Sequence, residues 1–389
     1  MNKLRVIVVR PGKSVEELDR IPDAVPKDGF LWLACMREHF REHVNALQIQ
    51  LNGLTGRRLL DLHVSDLLNT QLPSHFDYTS NYDVLVFRRL ADGEAPAVLR
   101  DASGTPSSHA KKGDQADSPI PVSRKVQTLP VGFVVFDNVL LSVHPEGCSV
   151  MEAYTKRLLL LGQANPEHTT SSSPMPHAGV PRLPDSPAEQ TLRIVSLMVD
   201  AYLDLRKVMT RQLDHWQQRL MRPNVRFDNW GGLLKAQQAL HHLYDICEDQ
   251  RNAVSRWMDV LEDVPAPRTD EARHQLDQLL VRCRDVLEHI ERVSHHIRQL
   301  EQSAETAIQI HFNIQSNRTN DVMRTLTAIT AVFLPLNLIA GIFGMNFEFI
   351  PWLHATSGFW WALVVMVLIA IVLIAYFARK QYLSSTDIE

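Results

Sequence analysis

Hydrophobic and polar positions follow three different rhythms along the chain. Short runs of β-branched and aromatic residues at 5–10, 29–35, 84–90 and 126–144, with helical spacing at 36–52 and 149–161, predict an α/β domain over residues 1–161. The run behind Met1 is short and closed by Arg10, so it reads as a strand rather than a leader. Two polar stretches interrupt this pattern: an insert at 91–125 carrying Gly104-Thr105-Pro106-Ser107-Ser108, and a linker at 162–187 carrying Thr169-Thr170-Ser171-Ser172-Ser173-Pro174. Their composition predicts flexible loops, and His109, His168 and His177 within them are read as solvated residues rather than metal ligands. Beyond Pro187 the spacing becomes helical. A hairpin is expected over 188–264, its arms closed by Pro223 and by Pro265 with Pro267. A third segment opens at Thr269-Asp270-Glu271, an N-cap followed by an acidic first turn, and meets no Pro or Gly before Pro335. One stalk helix is therefore expected over 268–343, on the order of 110 Å long.

The last rhythm is continuous apolarity. Residues 326–343 and 359–377 carry no charge, and each run approaches the length needed to cross a hydrocarbon layer roughly 30 Å thick. Trp360, Trp361 and Tyr376 lie near the ends of the second run, where amphipathic rings favour a membrane interface. Two transmembrane helices are expected, joined by an outer loop at 344–358 and followed by a basic tail at 378–389. Arg318 and Arg324 precede the first span, Arg379 and Lys380 follow the second, and 344–358 contains neither Lys nor Arg. That asymmetry predicts both termini on the cytoplasmic side of the bilayer.

Composition narrows the function classes. Lys plus Arg number 40 against 44 Asp plus Glu, a net charge of −4, which excludes a generic nucleic-acid binder. Four cysteines, Cys35, Cys148, Cys247 and Cys283, are too dispersed for a disulfide framework or a structural zinc module. There is no P-loop, no Ser/His/Asp set and no HExxH signature, so the chain is not read as an enzyme.

Along the stalk, Leu276, Leu279, Cys283, Val286, Ile290, Val293, Ile297 and Leu300 alternate at steps of three and four, the seam of a packed coiled coil. His289, His295 and His296 are read as its solvated flank. Farther along, the same stepping passes through Asn313, Asn320, Met323, Thr327, Thr330, Leu334, Asn337 and Gly341, a face mostly polar yet uncharged that persists into the apolar span. Asn337 is costly against lipid, so this face must meet protein or a water-filled cavity. A pore wall and interhelical glue both satisfy that demand. A pore needs several copies around an axis, hence a homo-oligomer, and Met323 with Leu326 would narrow and dry its entrance.

The first span ends at Gly341-Ile342-Phe343-Gly344-Met345-Asn346-Phe347-Glu348, preceded by Ser316-Asn317-Arg318-Thr319-Asn320-Asp321-Val322-Met323 and by Phe333-Leu334-Pro335-Leu336. In these segments, and in the placement of Gly-Met-Asn after the first of two C-terminal spans, the chain resembles the CorA family of magnesium transporters. The resemblance implies an α+β membrane protein assembled as a funnel-shaped homopentamer in a bacterial-type inner membrane. It also implies a pore lined by Asn320, Met323, Leu326, Leu334 and Asn337, to which the polar face adds Asn313, Thr330 and Gly341, with a selectivity loop at Gly344, Met345, Asn346 and Glu348. Hydrated Mg2+ would be both cargo and regulatory ligand, with Co2+ and Ni2+ as other cargo and no organic cofactor. The resemblance further implies regulatory carboxylates at Asp66 and Asp285, whose bound ions would hold the ring closed. The outer loop departs from the family pattern at Trp352, where a second carboxylate is common. A zinc-transporting branch shares the architecture and is the alternative for the ion. A membrane-anchored coiled-coil scaffold is the alternative of another class, and it has no use for Asn337 and Asn346 at its axis.

Overall fold

The computed structural model describes residues 3–91, 126–163, 182–220, 230–265, 269–345 and 358–380. These residues belong to two compact units, Met1–Trp216 with Asp228–Ala304, and Gln217–Phe227 with Glu305–Glu389.

The first unit is organised by a seven-stranded sheet. Its strands are β1 (Leu4–Arg10), β2 (Ser14–Leu18), β3 (Phe30–Met36), β4 (His75–Tyr78), β5 (Asp83–Leu90), β6 (Thr128–Val135) and β7 (Val139–His144). They lie in the order β2-β1-β3-β7-β6-β5-β4, and every neighbouring pair is antiparallel except β3 with β7, where Leu31 faces Val139 and Met36 faces His144. β3 is buried along its whole length, as a central strand covered on both faces must be. One face, carrying Val6, Val8, Leu31, Leu33, Val134 and Leu141, packs on Phe40, Leu47 and Leu51 of α1 (Arg37–Thr55) and Leu67 of α2 (Asp61–Leu68). On the other, Trp32 donates its indole N–H to Ser142 Oγ at 2.9 Å and meets Tyr154 of α3 (Ser149–Gln163) edge to face. The same face receives α4 (Pro187–Leu220) and α5 (Trp230–Glu262). Tyr202 of α4 and Gln250 of α5 both donate to the Arg88 carbonyl, at 3.0 and 2.8 Å, and Trp257 stacks on Phe76. All four cysteines are free and buried, and burial pushes the Cys35, Cys247 and Cys283 thiols up to about 12, leaving them protonated and inert.

The start of α4 ties it to the long helix α6 (Asp270–Phe343). Ser186-Pro187-Ala188-Glu189 is a capping sequence with Pro at the first helical position. Ser186 Oγ accepts the Glu189 N–H, and Glu189 Oε2 accepts the Asp185 N–H at 2.7 Å. The other oxygen of Glu189 takes Arg193 at 2.8 Å and Arg282 of α6 at 2.9 Å. Burial works to raise the Glu189 pKa. The Asp185 N–H and the two guanidinium groups outweigh it, so the carboxyl is held below its ordinary range. α6 itself begins with Thr269 Oγ1 accepting the Ala272 N–H, and Cys283, Val286, Ile290, Val293, Ile297 and Leu300 are all buried along its seam. His289 departs from the solvated position expected of it, being half-buried between α6 and α4.

In the second unit α6 continues to Phe343, with Pro335 inside it, and α7 spans Gly358–Arg379. Both helices are long and apolar enough to cross a membrane. Pro335 has no N–H to give the Ala331 carbonyl one turn earlier. The helix ends as Gly344 donates its N–H to the Ala340 carbonyl at 2.9 Å. The outer-loop positions Asn346 and Glu348 lie outside the described residues, as do the inserts from 92 to 125 and 164 to 181.

Two tests follow from these contacts. A Cβ built on Gly132 of β6 would stand 2.3 Å from Leu67 Cδ2, so Gly132→Ala must displace the buried Leu67 side chain and is expected to cost about 1–3 kcal/mol in denaturant unfolding. Glu189→Ala takes the shared carboxylate from the partly exposed Arg193 and Arg282 and is expected to cost about 1–3 kcal/mol near neutral pH. Because the folded pKa of Glu189 is depressed, its contribution is present above the unfolded carboxylate value. It is lost as pH falls through the folded one, so the gap between wild type and variant should close in acid unfolding curves.

Candidate functional site

In the second unit the candidate pore residues form one exposed stripe. Asn313, Asn320, Met323, Leu326, Thr330, Leu334, Asn337 and Gly341 are all exposed on α6, and so are Gly344 and Met345 beyond it. A second stripe, Ala328, Ala331, Val332, Pro335, Leu336 and Ile339, is wholly or partly covered. At 3.6 residues per turn the two stripes stand roughly 145° apart. α7 is likewise covered along one line only, Ala362, Met366, Ile369, Ala370, Leu373 and Phe377. The polar face of α6 is thus not the one packed within its own chain.

The polar groups of that face differ in what they still need. Thr327 donates its hydroxyl to the Met323 carbonyl at 2.7 Å, and Thr330 donates to the Leu326 carbonyl at 2.9 Å. Both hydroxyl protons are satisfied by the helix itself. The Asn337 carboxamide has no hydrogen bond among the described residues, although it sits inside the apolar segment. An amide there requires water or another protein chain. Apolar neighbours, Leu334 at 66% exposure and Leu338 at 62%, are equally uncovered in the single chain, so this surface is made for lipid or for other copies.

In the first unit, Asp66 lies on α2 with His75 Nε2 3.8 Å from Oδ2, and Asp285 lies on α6 with His289 Nε2 3.8 Å from Oδ1. Among the described residues no hydrogen bond or ion pair joins Asp66 to Asp285 within the chain. The structure instead gives Asp285 a neighbourhood that spacing along the chain did not reveal. His289 turns its other nitrogen towards Asp200 of α4, 3.9 Å from Oδ1. Burial raises the Asp200 pKa, with His289 opposing and the charges of Asp204 and Asp285 adding to the rise. Asp200 and Asp285 also line a cavity of about 950 Å³ between α3, α4 and α6, whose walls carry Arg157, Arg193, Arg282 and Glu189 as well. Such a group of facing carboxylates repels itself unless protons, arginines or cations offset the charge.

The sequence profile of the CorA-like Mg2+ transporter protein family matches residues 119–379. The cobalt/magnesium transport protein CorA of Thermotoga maritima is 37% identical over 100 residues, 26% of this chain and 28% of that protein. The magnesium transport protein CorA of Haemophilus influenzae is 32% identical over 110 residues, 28% of this chain and 34% of that one. The chain thus aligns with about a third or less of the length of these relatives. Among solved structures, the complete CorA magnesium transporter of Methanocaldococcus jannaschii superposes with a TM-score of 0.66 at 14% identity, covering 97% of this chain and 98% of that one. The fold is therefore that of a full-length CorA chain, and with two thirds of its residues inside the family profile this protein belongs to the CorA family.

Proposed function

We propose that this protein is a divalent-cation channel of the inner membrane, carrying Mg2+ as a hydrated ion through a homopentameric pore lined by the polar stripe of α6. The observation that carries this reading is Asn337, an amide without a hydrogen bond among the described residues, on a face of an apolar helix that those residues leave uncovered. A ring of such faces supplies mutual hydrogen bonds and a wet axis at once, whereas lipid supplies neither.

The chemistry suits magnesium. The ion gives up its water reluctantly, so a mouth built from Asn346 amides and Gly344 carbonyls would hold it through its hydration shell. Met323 and Leu326 form the apolar collar where dewetting would close the path, and Asn320 with Asn313 are polar stations on the cytoplasmic side. An inward potential drives a divalent ion by about 4.6 kcal/mol per 100 mV, enough for a gradient of roughly a thousandfold, so no nucleotide is required. Asp66 and Asp285 are the regulatory ligands in this reading, with Asp200 and His289 beside Asp285. A cation bound among them offsets the like charges, and its loss favours the repelled, open arrangement.

Liposome flux under an imposed potential tests each part. Asn346→Ala should abolish selective Mg2+ uptake, and retained selectivity over Zn2+ would overturn the assignment of the mouth. Asn337→Leu should lower flux by about tenfold or more, equivalent to about 1.4 kcal/mol, while Thr330→Val, whose hydroxyl proton is already used by the helix, should change it far less. Equal effects of the two would argue against a wet stripe. Asp66→Ala with Asp285→Ala should weaken inhibition by internal Mg2+, and unchanged inhibition would remove the regulatory role.

A further inference from the structure

We infer that the first turns of α1 carry a binding site for a borderline first-row divalent cation of the Zn2+ type, with His39 and His43 as imidazole ligands and Glu42 as the carboxylate ligand. The site lies in the first unit and uses none of the residues assigned to transport or its regulation.

His39-Phe40-Arg41-Glu42-His43 places two imidazoles at i and i+4, on one side of a helix, with the carboxylate three residues after the first. One potential ligand atom from each of the three residues lies within 4.8 Å of the other two. The ring centroids of His39 and His43 are only 4.2 Å apart, tilted by 32°, and the Glu42 carboxylate lies beside the His43 ring, its Oε2 4.0 Å from the nitrogen not used for ligation. Bonds of about 2.0–2.1 Å to a tetrahedral ion require donors roughly 3.3 Å apart, so the three side chains must close on the ion. Glu42 and His43 are both exposed, so the ion has an entry path and the fourth position is open to water.

Two further observations point to a ligand. His43 Nδ1 lies 3.2 Å from the His39 carbonyl. A carbonyl only accepts, so Nδ1 carries the proton and Nε2 of the neutral ring is left with its lone pair outward. This is the arrangement by which ligating histidines are oriented, the non-ligating N–H held by a backbone oxygen. In addition, His39 Nδ1 is buried with no hydrogen-bond partner, an orphaned polar atom that α1 packing does not account for. His43 also leaves helical geometry, at φ −121° and ψ 21°, just where the second imidazole is presented.

Two imidazole nitrogens and one carboxylate select against Mg2+, which takes oxygen ligands and keeps its water, and favour Zn2+, Co2+ or Ni2+. The site thus separates a nitrogen-preferring ion from the all-oxygen chemistry proposed for transport. Full-length protein in detergent, held in millimolar Mg2+ to fill oxygen sites, is titrated with Zn2+ by calorimetry and with Co2+ by visible absorption. Wild type is expected to bind one more Zn2+ per chain than the His39→Ala/His43→Ala variant. It should also show a Co2+ band of low-coordinate geometry that the variant lacks. Single His39→Ala and His43→Ala changes should each weaken this site by roughly 10–100-fold or more, and Glu42→Gln by less. His43→Ala and Glu42→Gln alter exposed side chains and keep the test open should the half-buried His39 prove necessary for folding. Equal stoichiometry and affinity in the folded double variant, or displacement of this Zn2+ by an equal concentration of Mg2+, would overturn the assignment.

Discussion

A carboxamide inside hydrocarbon must be hydrogen-bonded by something other than lipid. In this chain the requirement falls on Asn337, which has no partner among the described residues and lies on the uncovered side of α6. The neighbouring threonines escape it by bonding to their own helix. The covered stripe of α6 runs along the opposite side, through small and aliphatic residues from Ala328 to Ile339. Packing within the chain and contact beyond it are thus divided between two faces of one helix. The uncovered face is left to meet lipid, water or another protein chain.

The long elements were legible in the sequence because their signals are redundant. α4, α5 and α6 each combine a repeating apolar stripe with a start or stop made by Pro187, Pro223, Thr269 or the pair Pro265 and Pro267, and no competing pattern survives over more than thirty residues. The central strands were equally plain, since β3 and β5 are buried almost throughout and are written in apolar residues. β2 and β4 were not. Ser14–Leu18 and His75–Tyr78 are short, carry charged residues, and become strands because β1 and β5 offer them open edges. α2 has only eight residues and depends on Gly132 leaving room for Leu67. In each case tertiary contact overrides a weak local preference.

The same distinction governs the candidate sites. The polar stripe is periodic along one helix and can be read from spacing alone. Asp285 lies on that helix too, but its neighbour Asp200 sits on a different element, and only the packing of α4 on α6, fixed by Glu189 between Arg193 and Arg282, brings the two carboxylates to His289. No local pattern encodes such a meeting. Spacing did place His289 on the stalk, but its half-buried position depends on a helix distant in sequence.

Pro335 gives α6 a property that the rest of its length lacks. With no N–H to offer Ala331, the ladder has a missing rung inside the apolar segment, between the collar residues and Asn337. Bending at that level breaks no bond that was made, so the rod is most compliant there. The short piece beyond, through Gly341, can lean while the turns before it keep their ladder, which confines any bend to the C-terminal end of α6.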